Sequence, residues 1–328
     1  MELLRVFENT TRERKPKKNT AMTLAQAKKL LLESLKSPSN PNGYKRYLAS
    51  PLRYAGGKSL AVGHIVGLLP EERISRVISP FFGGGSVEIA IAKELGIEVI
   101  GYDIFDILTN YWHYQINAPE QLATELEKFA PTKEEYARVR EIMKQHWKGK
   151  QPLEGVELAA VYYFNHNTSY GPHFLGSQSS VYLQPKRYQT LIEKVRTFDA
   201  KNIQVACNSF ENIIPKYTHD FLYCDPPYYL NGDSKMFIGM YPHRNFPIHH
   251  NGFDHEKLRD LLKKHKGGFI LCYNDCSTIR KWYEDFNIIS PSWQYTFSQG
   301  DVRVGKNRLE RNSGSYVKKS HEVIIWKT

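Results

Sequence analysis

The chain has 328 residues, 41% hydrophobic and 24% charged, a globular balance with room for one large α/β domain or two ordinary ones. Its net charge of +11 and isoelectric point of about 9.3 fit a polyanionic partner, most often nucleic acid, or else a basic surface that is merely solvated. No apolar run reaches the ~18 residues of a membrane span, the N-terminus lacks the apolar core of a secretory signal, and Cys207, Cys224, Cys272 and Cys276 offer no tetrahedral zinc set.

Buried free thiols in a cytoplasmic protein are therefore expected. Residues 1–20 are polar and basic, without periodicity. "TLAQAKKLLLESLK" (23–36) reads as an amphipathic helix, with Thr23 and Gln26 as a capping box and Leu24, Ala27, Leu31 and Leu35 on one face. "SPSNPNG" ends it.

From Leu52 the pattern changes. "RVISP" (76–80) reads as a strand, "VEIAIAKELG" (87–96) as a helix closed by Gly96, and "IEVIGYD" (97–103) as the next strand. Strand, Gly-rich turn, helix and strand imply a parallel βαβ unit. Four helical stretches then occupy about a hundred residues, far more than a usual connection: "PEQLATELEKFA", "TKEEYARVREIMKQHW", "EGVELAAVYYFN" and "PKRYQTLIEKVRTF". Thr132 and Glu135 offer a second capping box. The loop "HNTSYGPHFLGSQSS" (166–180) separates the last two helices. Strands resume with "IQVAC" (203–207), "DFLYCD" (220–225), "GGFILCYN" (267–274) and "HEVIIW" (321–326). "SWQYTFS" (292–298) is expected to pair antiparallel with that last strand, leaving a basic exposed loop between them.

"SPFFGGGS" (79–86) follows a strand and opens a helix, and its glycines let a ligand approach the backbone. Asp103 ends the next strand, where an acid can accept hydrogen bonds from ribose hydroxyls. The turn is not a dinucleotide fingerprint, since Glu88 stands at the third glycine. "AGGKS" (55–59) is not a phosphate loop, since Leu52 stands at the first. A nucleoside ligand fits better than a nucleotide phosphate.

"YCDPPYY" (223–229) closes an apolar run. It is either a strand-ending turn or a site. The amino group of a nucleobase is a poor nucleophile, because its lone pair is delocalised into the ring. Acceptors for its two N–H bonds free that pair. Asp225 can supply a carboxylate oxygen and Pro226 a carbonyl, Pro226 and Pro227 stiffen the loop, and Tyr228 can stack a base that has left its duplex.

Together, "PLRYAGGK" (51–58), "FFGGGS" and "DPPY", in this order, resemble the Dam-type DNA adenine-N6 methyltransferases over residues 51–328. The resemblance implies a Rossmann-like methyltransferase: a doubly wound, mostly parallel α/β sheet with a helical DNA-recognition insertion. It implies a catalytic domain at 51–106 and 201–328 and the insertion at 107–200, with residues 1–50 outside it as a basic extension with one amphipathic helix. It implies S-adenosyl-L-methionine as cofactor and no metal. Tyr54, Lys58, Pro80, Phe81, Gly83, Gly85, Asp103 and Phe210 fall on cofactor-binding positions, and Asp225, Pro226, Pro227 and Tyr228 on the catalytic tetrapeptide. "FNHNTSYGPHF" (164–174) is similar to the family's DNA-facing segment. Ser79 stands where the family often has an acid, Ser209-Phe210 where it often has Asp-Phe, and the DNA-facing segment lacks the usual arginine.

The expected activity is methylation of N6 of a flipped adenine in double-stranded DNA. N4 of cytosine, adenine in RNA, and a non-catalytic DNA-binding subunit are the alternatives. A cytoplasmic, prokaryotic or phage-encoded enzyme is implied, a monomer or weak dimer, with a cognate restriction endonuclease as a possible partner. No cysteine stands near His249, His250 and His255 and Asp254 is the only close acid, so no metal site is expected there; Asp254 reads as a helix cap. The run Arg303, Lys306, Arg308, Arg311, Lys318 and Lys319 is either solvated or a phosphate contact.

Overall fold

A computed structural model gives the structure of the chain at residues 22–37, 40–72, 74–231, 252–291 and 321–328. The run from Arg303 to Lys319, the expected strand at 292–298, and His249 and His250 lie outside the described residues.

The sheet is built from short, apolar strands: β3 (Arg76–Ser79), β4 (Glu98–Asp103), β5 (Ile203–Cys207), β6 (Phe221–Cys224), β7 (Phe269–Asn274), β8 (Asn287–Ile289) and β9 (Glu322–Lys327). Their order is β5-β4-β3-β6-β7-β9-β8. The first five in that order pair in parallel, and β9 runs antiparallel to both β7 and β8. Every residue of β6 and β7 is buried, as a parallel sheet covered on both faces requires. Alternation divides their side chains between two cores. Val77, Val99, Tyr223, Ile270 and Ile324 point into one, and Ile78, Leu222, Leu271, Tyr273 and Val323 into the other.

The helices α1 (Leu24–Leu35), α2 (Val62–Leu68) and α3 (Ser86–Leu95) pack together on the first core. The expected capping box of α1 is present, and Ala27, Leu31 and Leu35 are its buried face. A small hairpin, β1 (Lys36–Ser37) with β2 (Asn40–Tyr44), follows. Beyond it, Tyr47 N–H donates to the Ser59 carbonyl at 2.8 Å, tying the segment to the chain just after Lys58.

Between β4 and β5 come α4 (Asp106–Asn117), α5 (Pro119–Glu127), α6 (Lys133–Trp147), α7 (Gly155–Asn167) and α8 (Pro185–Arg196). They extend the first core. α7 is buried from Leu158 to Asn167, packed by α4, α5 and α6. Thr132 caps α6, but the Glu135 carboxylate turns to Arg138 instead of closing a box. The second core is covered by α9 (Phe210–Lys216), α10 (His255–Lys264) and α11 (Ser277–Trp282). Asp254 caps α10 as expected, accepting from Lys257 N at 2.8 Å.

One expectation is corrected. Cys207 is exposed, while the other three thiols are buried, because β5 is an edge strand whose last residues face outward. The described partners of β9 are β7 and β8, the latter only three residues long. Among the described residues no helix is long and apolar enough to cross a membrane.

Candidate active site

The strand order reverses at β3. Its successor β4 lies on one side and β6 on the other, so a crevice opens between the carboxyl ends of β3 and β6, where open α/β sheets bind ligands. The Gly-rich turn leaves β3 there, and the D-P-P-Y loop leaves β6.

The turn is held from four sides. Phe82 N–H donates to the Tyr102 carbonyl at 2.8 Å, and Gly83 N–H donates to Asp103 Oδ2 at 2.9 Å. Trp112 Nε1 on α4 reaches the Gly83 carbonyl at 2.9 Å, and Ser50 Oγ the Gly84 carbonyl at 2.7 Å. Gly83 and Gly85 adopt φ of 48° and 66°, which favours glycine. A Cβ on Gly84 would lie 2.4 Å from Tyr54 Cβ, so the turn and the A-G-G-K segment pack backbone against ring. Asp103 Oδ1 accepts from Phe105 N at 3.0 Å. Both of its oxygens thus receive a backbone donor.

A cavity of about 440 Å³ joins these parts, within the size range of small-molecule and cofactor pockets. Tyr54, Lys58, Pro80, Phe81, Gly83, Gly85, Asp103, Phe210, Asp225, Pro226, Pro227 and Tyr228 all line it. The structure therefore brings every site residue expected from sequence to one wall or another of a single cavity.

It also adds contacts that sequence reasoning missed. Lys58 Nζ lies 2.7 Å from Asp225 Oδ1 and 2.9 Å from Oδ2, donates to the Gly56 carbonyl at 3.0 Å, and sits 5.0 Å from the centre of the Tyr228 ring. Burial pushes the Asp225 carboxyl above its usual range, and the Lys58 ammonium opposes that shift. Glu88, 2% exposed, accepts from Ser79 Oγ at 2.7 Å. A carboxyl therefore does stand beside the position where Ser79 replaces the family's acid, but α3 supplies it. Burial pushes the Glu88 carboxyl up to about 8, with the Ser79 hydrogen bond opposing and the Asp225 charge adding.

Phe81, Phe210 and Phe253 cluster at another wall, with ring centres 5.1 to 5.8 Å apart. Phe253 carries no local sequence signal, since "NGFDH" reads as a helix start. His166 also lines the cavity. Its Nε2 meets the Arg53 carbonyl at 2.8 Å, and its buried Nδ1 has no hydrogen-bond partner among the described residues. Burial pushes this imidazole down to about 3, so it is neutral. In the segment expected to face DNA, Asn167 Oδ1 accepts from Arg53 N at 2.9 Å and Asn165 Oδ1 from Leu175 N at 2.9 Å. Its first half thus braces the cavity, while Pro172, His173 and Phe174 reach the lining. His255 shares a hydrogen bond with the Tyr273 hydroxyl.

The unpartnered His166 nitrogen, the glycine cradle under Tyr54, the paired-oxygen acid Asp103 and the aromatic wall suit a nucleoside with a polar tail, and S-adenosylmethionine fits that description. A doubly wound sheet with a Gly-rich turn and a D-P-P-Y loop facing each other at the switch point defines a Rossmann-like methyltransferase. The model of the D12 class N6 adenine-specific DNA methyltransferase family matches residues 54–297, and the chain belongs to that family. This bears out the Dam-type resemblance carried by the motifs.

The chain is 25% identical over 297 residues to the type II methyltransferase M.FokI of Planomicrobium okeanokoites, an alignment spanning 83% of this chain and 44% of that protein. It is 27% identical over 264 residues to the type II methyltransferase M.MjaIII of Methanocaldococcus jannaschii, spanning 72% of this chain and 88% of that one. With the modification methylase StsI of Streptococcus sanguinis it shares 24% over 299 residues, 86% and 43% of the respective chains. The chain thus spans less than half the length of M.FokI and StsI.

Proposed function

We propose that this chain methylates N6 of an adenine flipped out of double-stranded DNA, with S-adenosylmethionine as cofactor. One observation carries the reading: Asp225 and Pro226, at the carboxyl end of β6, line the same cavity as the Gly-rich turn and Asp103. The cofactor, when bound, supplies a methyl group activated by its sulfonium. Gly83, Gly85, Pro80, Phe81, Tyr54 and Lys58 hold its amino-acid end, Asp103 its ribose, and Phe210 its base. Asp225 accepts one N–H of the target amine through a carboxylate oxygen and the Pro226 carbonyl accepts the other. The nitrogen lone pair is then directed across the cavity. Lys58 does not exhaust the Asp225 oxygens, because a carboxylate has about four lone-pair positions. Burial raises the proton affinity of Asp225, which suits it to take the proton the amine sheds. Tyr228 stacks the base.

Residues 107–200 serve as the DNA-recognition insertion on a catalytic domain of 51–106 and 201–328, with 1–50 as a basic extension. The support is positional: α7 leads directly into the segment whose Pro172, His173 and Phe174 reach the cavity. The relatives' names, type II methyltransferases and a modification methylase, support a cognate restriction endonuclease as partner, hence an enzyme of a prokaryote or its phage working in the cytoplasm.

The test is to incubate the purified chain with unmethylated DNA of random sequence and labelled S-adenosylmethionine, then digest the DNA and identify the labelled nucleoside and its context. N6-methyladenine in one defined context is expected. N4-methylcytosine as the labelled product, or label only on RNA, sinks the substrate reading. Cofactor binding with no transfer to either nucleic acid sinks the enzymatic one.

A further inference from the structure

The D-P-P-Y loop is gripped from outside the cavity. Asn274 ends β7 and Glu322 begins β9, and the antiparallel register sets them directly opposite each other. Glu322 Oε2 accepts from the Tyr228 hydroxyl at 2.6 Å. Asn274 Nδ2 donates to the Tyr229 carbonyl at 2.6 Å. Neither residue is among those lining the cavity, and both are buried, at 1% and 0% exposure. The rest of this stretch of β9 is Val323, Ile324 and Ile325, all at 0%. A carboxyl group in such a place is costly to desolvate, and an apolar residue would avoid the cost. The Tyr228 phenol offsets part of that cost.

We propose that Glu322 and Asn274 are positioning residues that set the plane of the Tyr228 ring before a base arrives. The inference rests on the reading of Tyr228 as the base-stacking residue. A tyrosine ring anchored only at Cβ can swing about two torsions. Here the near end is held by a loop stiffened at Pro226 and Pro227, and the far end by Glu322. Asn274 fixes the backbone one residue further on. Tyr273, beside Asn274 on β7, packs at 6.2 Å and 32° from the Tyr228 ring and resists rotation. A stacking surface fixed in advance spares the cost of ordering it during binding, and small misplacements of a reacting amine are costly in rate.

The test compares Glu322→Leu, Glu322→Gln, Tyr228→Phe and the double variant Tyr228→Phe/Glu322→Leu. Thermal midpoint, affinity for S-adenosylhomocysteine, and single-turnover transfer to unmethylated DNA are measured for each. Glu322→Leu is expected to slow transfer by about ten- to a hundredfold, with cofactor-product affinity held within about twofold of the parent chain. Glu322→Gln, whose amide oxygen still accepts from the phenol, recovers most of the rate. The double variant is no slower than its slower single, because both changes remove one shared interaction. Multiplying effects, a full rate in Glu322→Leu, or a parallel loss of cofactor-product affinity would each overturn the inference. If Glu322→Leu does not fold, a wild-type rate in Tyr228→Phe overturns it instead. Failure of the parent chain both to bind S-adenosylhomocysteine and to methylate DNA overturns the functional reading, and this inference with it. A parent chain that is active and indifferent to Glu322 removes the inference alone.

Discussion

Lys58 and Asp225 lie 167 positions apart, yet they form the central ion pair of the cavity. The Lys58 side chain is 3% exposed, so the carboxylate offsets part of the cost of burying its charge. Replacing Asp225 with alanine therefore does two things. It removes an acceptor for the target amine, and it takes the carboxylate from a buried ammonium, a loss of about 3–5 kcal/mol when one partner of a buried pair is removed. Asp225→Ala is expected to abolish transfer while keeping S-adenosylhomocysteine binding, and to lower the urea midpoint. Adding Lys58→Met should restore the midpoint without restoring transfer. Near-normal transfer in Asp225→Ala would remove it from the chemistry. Glu88 makes a second prediction, in pH. Its carboxyl titrates at about 8 in the folded chain against an ordinary 4.5. The folded state therefore holds a proton that the unfolded state releases between those values, and the stabilising contribution, full below pH 4.5, is lost as pH rises to about 8. Glu88→Gln should flatten this part of the stability profile, by a few kcal/mol at most. Thermal melts at pH 5 and pH 8.5 check it, and an equal pH slope in both proteins would refute it.

Among the elements, the Gly-rich turn and its neighbour β4 each hold a glycine with a different duty. Gly101 on β4 has no room for a side chain, since a Cβ would lie 2.1 Å from the Phe82 ring, which itself packs edge-on against Trp112 at 5.1 Å. Gly101→Ala is expected to destabilise the chain by about 1–3 kcal/mol through overpacking, visible in urea titration. Gly84→Ala instead forces Tyr54 away from the turn, so S-adenosylhomocysteine affinity should fall more than the melting temperature; an unchanged affinity would take Tyr54 out of the cofactor wall. The turn, β3, β4, β6, β7 and α1 were legible in sequence because each carries its cause locally: apolar runs bounded by glycine or proline, or a Thr23–Gln26 box. α4 was not, since "DILTNYWHYQIN" is rich in aromatic and short polar residues of weak helix propensity, and its buried Tyr111 and Trp112 are held by tertiary packing. α2 was hidden by Gly63 and Gly67, and β8 by its three-residue length. Lys58 with Asp225, Ser79 with Glu88, and Tyr228 with Glu322 were illegible for another reason. Each pair is created by the strand order, which periodicity along the chain does not encode.

Across the whole molecule, the net charge of +11 is distributed unevenly in its availability. Many described arginines are neutralised by the chain itself. Arg196 meets Glu120, Glu127 and Glu193, Arg138 meets Glu135, Arg280 meets Asp275, and Arg259 meets Asp260 and Glu256. Such pairs add little to stability at the surface, and they also have less to offer a phosphate. The run between β8 and β9 is different in composition. Residues 301–320 hold Arg303, Lys306, Arg308, Arg311, Lys318 and Lys319 against only Asp301 and Glu310. Binding of a basic protein to a duplex is driven largely by release of condensed counterions, and each phosphate neutralised adds about 0.9 to the slope of log affinity against log salt. Changing Lys306, Arg308 and Arg311 together to glutamine should therefore weaken binding to all DNA sequences alike and reduce that slope by about 2–3. S-adenosylhomocysteine affinity, set in the cavity, should not move. Titration of a labelled duplex between low and moderate salt reads both quantities, and a slope equal to that of the parent chain would place the phosphate contacts elsewhere on the molecule.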